Sequence, residues 1–424
     1  MRAILTVAVL VGLTSGTLAD EDGGAAARFN PHVAVMKDNS WVKLPTPKVH
    51  PITRSSSPWM PYAPTAGAAF LWGCGHAKYD NDLWTYNLAR NVWTEKLKTE
   101  PSAVADPDVI KIKDGVLMTR RERPTSFHQW GLLDYDGDRE VLWYARMGGW
   151  QGVYNHRDHF KKIGREIRRE GDAGKHARLR KTGPALWQYS LKTNEWKLIY
   201  TRDPSGCTRH SGYIRYFPPM RRLIMTPKWV SPNEDRQDFK MYDPAANKWE
   251  PLKVTWKPID KGLSPYWVYG HSPIVYDAKR KALVLILGAG GTWLLDPAAK
   301  TMVQVVPKAK SLPSNLDGPV GAFVYDSVNA TTLGIFADYK TYGGGRQLKA
   351  RGFPADEAHV WALDVKQGKW VRQPRPADGV LPAADRGHMV HHFYDPVHNA
   401  TVVYKGGYNS PHTETWVYRY RRRR

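Results

Sequence analysis

The chain is poor in cysteine, and beyond its first residues it has no long apolar run. Only Cys74 and Cys207 occur among 424 residues, which excludes both a disulfide framework and a zinc site built from two Cys-x-x-Cys pairs. A single disulfide between them stays open, because an oxidising compartment would permit one. No later stretch reaches the roughly 20 apolar residues that a membrane-spanning helix needs, so we expect no membrane span.

Several familiar catalytic motifs are missing as well. The sequence contains no Gly-x-Ser-x-Gly elbow, no phosphate-binding loop and no His-Glu-x-x-His motif. The acidic residues of its long loops, such as Asp80 and Glu357, show no spacing that pairs two carboxylates as glycosidases require. The glycines at 343–345 indicate a flexible loop rather than a phosphate cradle.

The first residues predict export. Arg2 precedes an apolar run over 3–13, and small residues up to Ala19 precede an acidic stretch, which is the organisation of a secretory signal peptide cut after Ala19. We therefore expect a secreted or periplasmic protein. Beyond the signal peptide over 1–19 we expect three parts, namely a flexible segment over 20–38, one domain over 39–420 and a basic tail over 421–424.

The formal net charge of +22 is concentrated in places. Between 157 and 181 ten lysines and arginines face four acidic residues, and the chain ends in an arginine cluster. Basic surfaces attract polyanions. Because we expect export, an anionic polysaccharide or a cell-surface polymer is favoured as partner over nucleic acid. The alternative is that the segment 157–181 is a solvated loop with no partner.

A unit that carries tryptophan recurs six times along the chain. It places an asparagine or glycine two residues before a tryptophan, as in Asn39 to Trp41, Asn91 to Trp93, Asn194 to Trp196, Asn247 to Trp249, the degenerate Lys300 to Met302, and Gly368 to Trp370. An alternating aromatic strand precedes five of these units, and two further strands precede that one, the first ending in Tyr-Asp and the second in Gly. Four strands in each unit predict a propeller blade.

The repeats resemble those of the Kelch family. Glycine pairs follow the second strand at 148–149, 290–291 and 406–407, and the period lies near 50 residues. The resemblance covers about 39–420 and implies an all-β, six-bladed Kelch-type β-propeller. The last blade lacks its fourth strand, and the orphan copy over 39–44 predicts that the N-terminal strand completes the C-terminal blade. Seven blades are the alternative if residues 98–124, interpreted here as a loop between blades, hold a degenerate unit.

The predicted topology separates two faces. Strand direction alternates within a blade, so the loops from second to third strands and the connections between blades share one face, which we call the loop face. Loops there are long, as over 148–184 and 336–358, whereas the hairpins of the opposite turn face are short, as over 134–138. Long loops on a rigid scaffold are where binding residues concentrate, so we expect the loop face to bind.

Two sets of candidate site residues follow from this topology. Four inner strands start at a histidine, and basic or phenolic neighbours complete a candidate catalytic ring at the mouth of the axial channel, namely His128, His210, His271, His388, Tyr269, Arg209 and Arg386. Aromatic and cationic residues of the long loops are candidate ligand contacts, namely His76, Trp150, Tyr154, Trp229, Tyr339, Tyr342, Arg346 and Tyr408. The alternative for each ring histidine is a hydrogen bond to backbone between blades.

These residues suit more than one function. We favour recognition, without turnover, of a polyanionic ligand that is a carbohydrate. The first alternative is a lyase acting on uronate chains by β-elimination, with Arg209 or Arg386 neutralising the carboxylate and His210, His271 or Tyr269 as base or acid.

A metal centre on the imidazoles is a further alternative. The copper-radical galactose oxidases are also Kelch-like, but the sequence has no counterpart of their cysteine-linked tyrosine, so we expect neither a cofactor nor a metal. A propeller that binds a protein partner is the remaining alternative, and we expect a monomer.

Overall fold

The computed structural model describes sixteen stretches of the chain, namely residues 29–54, 59–73, 81–100, 110–125, 131–146, 185–200, 213–226, 229–230, 239–261, 266–267, 274–287, 291–308, 321–336, 357–383, 390–406 and 411–421. They form six sheets of four or five strands, antiparallel except for one added strand, and two further strand pairs. The chain is a six-bladed β-propeller, as the sequence predicted. In the described residues no helix has the length and apolar character to cross a membrane.

The chain enters the propeller through a capped turn. Helix α1 (Pro31–Ala34) begins after Asn30, whose side chain accepts hydrogen bonds from the backbone of His32 and Val33. Val33 is buried, and Asn30 Nδ2 donates to the Leu88 carbonyl at 2.8 Å. Residues 29–38 therefore belong to the packed fold, although the sequence predicted a flexible segment there. Strand β1 (Ser40–Leu44) follows directly.

The first two blades are joined by a hairpin. Their strands are β2 (Tyr62–Ala63), β3 (Ala68–Trp72), β4 (Leu83–Asn87) and β5 (Val92–Leu97), then the hairpin strands β6 (Ile110–Lys113) and β7 (Val116–Thr119), then β8 (Leu133–Asp136), β9 (Val141–Arg146), β10 (Ala185–Ser190) and β11 (Glu195–Tyr200). The alternative of a seventh blade over 98–124 is not realised in the described part of that stretch, because β6 and β7 pair only with each other.

The remaining blades repeat the four-strand plan with two additions. Their strands are β12 (Tyr213–Phe217), β13 (Arg222–Thr226), β14 (Trp229–Val230), β15 (Lys240–Asp243), β16 (Lys248–Pro251), β17 (Thr255–Lys257), β18 (Tyr266–Trp267), β19 (Ile274–Asp277), β20 (Ala282–Ile286), β21 (Thr292–Asp296), β22 (Thr301–Val306), β23 (Gly321–Asp326), β24 (Thr331–Phe336), β25 (His359–Asp364), β26 (Lys369–Arg372), β27 (His391–Asp395), β28 (Ala400–Gly406) and β29 (Thr413–Arg419). Strand β17 is a fifth, parallel strand of the fourth blade, and β14 pairs with β18 outside the blades.

The ring closes as predicted. Strand β1 pairs antiparallel with β29, from Ser40 opposite Arg419 to Leu44 opposite Thr415. The N-terminal strand is thus the outer strand of the C-terminal blade, and the ring leaves no blade incomplete.

A tyrosine and an asparagine explain the recurring tryptophan unit. The asparagine occupies the left-handed turn position, with φ of 51° at Asn91 and 50° at Asn247, where asparagine is better tolerated than most residues. Its side chain accepts a hydrogen bond from the tyrosine five residues earlier, at 2.6 Å from Tyr242. The tryptophan ring then packs on that tyrosine, with centroids 5.0 Å apart for Tyr242 and Trp249.

The same arrangement recurs wherever both partners are present. It occurs in four blades, through Tyr86 with Asn91, Tyr189 with Asn194, Tyr242 with Asn247, and Tyr418 with Asn39 across the ring closure. In the fourth and fifth blades leucine replaces the tyrosine, and Lys300 or Gly368 takes the turn position. The asparagine is therefore present where a buried tyrosine hydroxyl needs an acceptor.

The turn face is uniform. Each hairpin from first to second strand has a turn of four residues, as over 137–140 and 278–281, and so has each hairpin from third to fourth strand, as over 244–247. The aspartate that ends an inner strand accepts hydrogen bonds from its turn, as Asp136 does from the backbone of Asp138 at 3.0 Å. Short turns that bond to their own side chains leave little surface for a ligand.

Candidate functional site

The predicted site residues fall almost entirely outside the described residues. Trp229 is the exception, and it lies in β14, where its partner on β18 is Trp267. The others lie outside the described residues and stay predictions, namely His76, His128, Trp150, Tyr154, Arg209, His210, Tyr269, His271, Tyr339, Tyr342, Arg346, Arg386, His388 and Tyr408. The two cysteines lie outside as well.

The described inner strands carry a polar cluster that the sequence analysis did not single out. We call it the axial cluster, and it consists of Trp59, Asp134, Arg215 and His392. Three of its members come from different inner strands, Asp134 from β8, Arg215 from β12 and His392 from β27. Asp134, Arg215 and His392 are each at most 8% exposed and Trp59 is half-buried, so the charged groups interact in a nearly dry environment.

Arg215 is the centre of this cluster. Its Nε donates to the Ile274 carbonyl of β19 at 2.9 Å. Its Nη1 donates to the Gly131 carbonyl at 3.0 Å and to the Ile214 carbonyl at 2.6 Å. The guanidinium carbon lies 4.4 Å from the ring centroid of Trp59, which is cation–π geometry. A single side chain thus contacts backbone or rings from four consecutive blades.

Asp134 supplies the counter-charge. Its Oδ2 accepts from the backbone N–H of Tyr216 at 2.6 Å, and its Oδ1 accepts from Trp59 Nε1 at 3.3 Å. Burial raises the pKa of Asp134, and the positive charge of Arg215 is the largest contribution that lowers it again. Each charge is therefore held in the interior by the other and by hydrogen bonds, as buried ionic groups require.

His392 joins the last blade to the first. Its carbonyl accepts from the backbone of Met60 at 3.0 Å, and its ring meets the Trp59 ring edge-on with centroids 5.7 Å apart. Burial, with a smaller contribution from the nearby charge of Arg215, lowers the pKa of His392 to about 4. The imidazole is therefore neutral at pH 7.

A glycine allows two inner strands to approach closely at this level. A Cβ on Gly131 would lie 1.9 Å from Cδ1 of Tyr213, so no other residue fits without displacing that ring. The backbone of Ile214 donates to the Gly131 carbonyl at 3.0 Å. Burial raises the pKa of the Tyr213 phenol well above its usual range, which keeps it neutral.

The axial cluster lies just below the loop-face mouth of the channel. Inner strands run from the loop face to the turn face, and the three charged or titratable members are the second or third residues of their strands. Its charges compensate each other and its donors contact the protein's own carbonyls. The cluster therefore joins the inner strands of neighbouring blades near their loop-face ends.

A buried ion pair holds the loop-face end of the first blade. Arg54 Nη2 lies 2.7 Å from Asp82 Oδ2, and Nη1 donates to the Gly73 carbonyl at 2.8 Å. The backbone N–H of Arg54 donates to Nε2 of His391, which begins the inner strand of the last blade. Both ends of the loop between β3 and β4 are thereby fixed to the blade junction where the ring closes.

In the described part of the chain, no three histidine, cysteine or acidic side chains are arranged to hold a metal ion. The metal hypothesis concerned the four ring histidines, which lie outside that part, so it stays untested.

Sequence signals for the axial cluster exist but are weak. Arg215 is the one charged residue in the aromatic strand Tyr213–Phe217, and Asp134 follows two leucines just before the expected Tyr-Asp end. A charged residue within an otherwise apolar inner strand indicates a buried polar contact, because charges are rarely buried unless paired. The pattern does not indicate which distant residues supply the partners.

No protein-family profile and no curated protein sequence matches this chain. Solved structures do match it. A structural genomics protein of unknown function from Bacteroides thetaiotaomicron is 7% identical, with a TM-score of 0.48, over 90% of this chain and 72% of that one. An oligogalacturonate lyase from Vibrio parahaemolyticus is 9% identical, with a TM-score of 0.41, over 90% and 97% of the two chains. A GH74 xyloglucanase from Xanthomonas campestris is 11% identical, with a TM-score of 0.40, over 89% and 45%. Likeness at this level carries no functional argument.

Proposed function

We propose that this chain is an exported, monomeric, Kelch-type propeller whose loop face recognises a polyanionic carbohydrate. The observation that carries the proposal is the contrast between its two faces. The repeat pattern and the turn asparagines support the Kelch assignment, and the apolar N-terminal run supports export from a signal peptide over 1–19. The domain is proposed to extend over 39–420, preceded by the packed turn at 29–38.

The two faces differ in the length of their connections. Every turn-face hairpin spans four residues, whereas the loop-face connections vary widely and include residues 147–184 between β9 and β10 and residues 337–358 between β24 and β25. A scaffold that holds one face constant and varies the other concentrates its recognition residues on the variable face.

Charge supports an anionic ligand. Within the connection 147–184 the ten basic residues between 157 and 181 exceed the acidic ones by six. The turn face also carries cations, among them Lys192 with 78% and Arg221 with 63% of the side chain exposed. Net charge therefore attracts polyanions to both faces, and the proposal is that the loop face binds them with higher affinity.

A binding panel tests the proposal. The mature protein is titrated with oligogalacturonate, a size-defined heparin oligosaccharide and an uncharged glucan, each at 50 mM and 300 mM salt. We expect saturable binding of one or both anionic ligands, weaker at high salt because counter-ions screen the charges, and none of the glucan. Absence of saturable anion binding at low salt would refute the proposal.

The same samples test the lyase alternative. A base-catalysed elimination leaves an unsaturated uronate that absorbs in the ultraviolet. A rise in absorbance with oligogalacturonate would show turnover at the site, whereas saturable binding with constant absorbance favours recognition alone.

A further inference from the structure

The hairpin β6–β7 stands outside the blades and belongs to the loop face. It lies in the connection from β5, the last strand of the first blade, to β8, the first strand of the second. Both of those strand ends lie on the loop face, so the hairpin is an addition to the surface that we propose as the binding face. The repeat pattern does not require it, and its role is not explained by closure of the ring.

One strand of the hairpin is firmly anchored. All four residues of β7 are buried, and Val116 and Met118 pack in the core cluster that includes Trp72 and Leu97. Arg123, just beyond the hairpin, forms an ion pair with Glu100 at 3.1 Å. The hairpin is therefore held in a fixed position by apolar burial and by this largely buried ion pair.

The other strand forms an exposed basic edge. Strand β6 pairs with β7 alone, and its Lys111 and Lys113 side chains are 37% and 53% exposed. Residues two apart in a strand point to the same face, so the two ammonium groups are neighbours. Exposed Arg120 and Arg121 follow the hairpin directly.

A carboxylate already lies between these two lysines. Glu122 Oε1 accepts from Lys111 Nζ at 2.8 Å and from Lys113 Nζ at 3.1 Å. The two ammonium groups lower the pKa of Glu122 below its ordinary value. Glu122 occupies the left-handed region with φ of 58°, in a turn closed by its N–H to the Thr119 carbonyl at 3.0 Å. That turn is what carries its side chain back over β6.

We propose that Lys111 and Lys113 form a subsite for a carboxylate or sulfate group of the polyanion, and that the Glu122 carboxylate occupies this subsite in the free protein. The inference rests on the proposed function and specifies which residues of the loop face contact the anionic group. An anionic group of the ligand takes the place of Glu122, whose side chain is 52% exposed and can rotate into solvent. The competing explanation is that lysines on an open edge strand only prevent pairing with other chains.

Paired charge-neutralising variants test the subsite. Lys111→Gln/Lys113→Gln is compared with Lys192→Gln/Arg221→Gln, which removes the same two charges from turn-face residues that are also in surface ion pairs. A lysine beside an anionic surface contributes about fivefold in affinity. We expect the first variant to bind the heparin or galacturonate oligosaccharide about 25-fold more weakly at low salt, and the control to bind within about twofold of the unmodified protein.

Glu122→Gln separates the two explanations. If the carboxylate competes with the ligand, its removal tightens binding, whereas a purely protective edge strand leaves binding unchanged. Unchanged affinity in both Glu122→Gln and Lys111→Gln/Lys113→Gln, with binding otherwise intact, overturns the subsite and leaves the proposed function standing. Loss of all saturable anion binding in the unmodified protein refutes the proposed function itself.

Acetylation footprinting of the unmodified protein tests the subsite without relying on the folding of any variant. Lysines are acetylated briefly with and without the oligosaccharide, and peptides are quantified by mass spectrometry. We expect ligand to protect Lys111 and Lys113 severalfold more than Lys192. Equal protection of all three contradicts the subsite. The sulfated and carboxylated probes, run in parallel, show which anionic group it prefers.

Discussion

Replacing Arg215 by methionine is the sharpest test of the axial cluster. The change keeps an unbranched side chain of similar length but removes the charge and every donor. The carbonyls of Gly131, Ile214 and Ile274 each lose the hydrogen bond that Arg215 donates, and Asp134 stays buried without the nearby positive charge. These losses fall at the junction of several blades, so we expect them to destabilise the ring as a whole.

The magnitude follows from the buried charge that the change leaves behind. The Asp134 carboxylate loses the nearby positive charge that lowers its pKa, and an uncompensated buried charge costs about 3–5 kcal/mol. Each hydrogen bond lost to a backbone carbonyl adds to that cost. Methionine returns part of it through apolar contact with Trp59. We therefore expect the free energy of unfolding to fall by about 4 kcal/mol, which at a urea m-value of about 3 kcal/mol per molar shifts the midpoint by more than about 1 M.

The assay is urea unfolding followed by tryptophan fluorescence at pH 7. Arg221→Met is the matched control, because Arg221 lies in the turn after β12 and contacts only the exposed Asp138 among the described ion pairs; its loss should cost less than about 1 kcal/mol. Arg215→Met/Asp134→Asn should recover part of the loss by removing the unpaired charge. Equal midpoints for Arg215→Met and Arg221→Met would refute a central role for Arg215.

Two further predictions concern stability. His392 has a folded-state pKa of about 4, below its unfolded value of about 6.5, so its contribution is present above pH 6.5 and is lost as the pH falls towards 4. The stability difference between the unmodified protein and His392→Gln should shrink by about 3 kcal/mol from pH 7 to pH 4, and a constant difference in urea unfolding would contradict the assignment. Tyr242→Phe removes the hydroxyl bonded to Asn247 and should cost about 1 kcal/mol; a double-mutant cycle with Asn247→Ala should give a coupling of that size, and additive losses would contradict the bond.

The four-strand organisation of each blade can be predicted from the sequence because the residues that determine it are close together in the chain. Asn247 and Trp249 lie within seven residues of Tyr242, so the turn, its cap and its ring contact all fall in one short window. The closure of the ring could be predicted for a related reason, since β1 is a copy of the strand that the last blade lacks. Because the unit repeats, a short sequence pattern also predicts the number of blades and how the ring closes.

The axial cluster was not readable because its contacts join distant segments. Arg215 bonds to Ile274 and Gly131, which are 59 and 84 residues away in sequence. One polar residue in an apolar strand indicates burial of a polar group without naming its partner. The histidines proposed for the mouth stay predictions, since they lie outside the described residues.

Two misinterpreted segments did carry local signals. Asn30 followed by Pro31 is an N-cap with proline at the first helical position, which is typical of a helix start. Asp114 and Gly115 both have positive φ and join Lys113 to its partner Val116, which is the two-residue hairpin turn that an Asp-Gly pair favours. A two-stranded hairpin is shorter than a blade, so the four-strand repeat pattern does not predict it.

Hydrogen–deuterium exchange with and without bound oligosaccharide tests most directly which face binds. Recognition on the loop face predicts slower exchange in peptides from loop-face connections, including the β6 edge at Ile110–Lys113, and unchanged exchange in the turns at 137–140 and 244–247. Slower exchange confined to those turns would place the ligand on the opposite face and contradict the proposal.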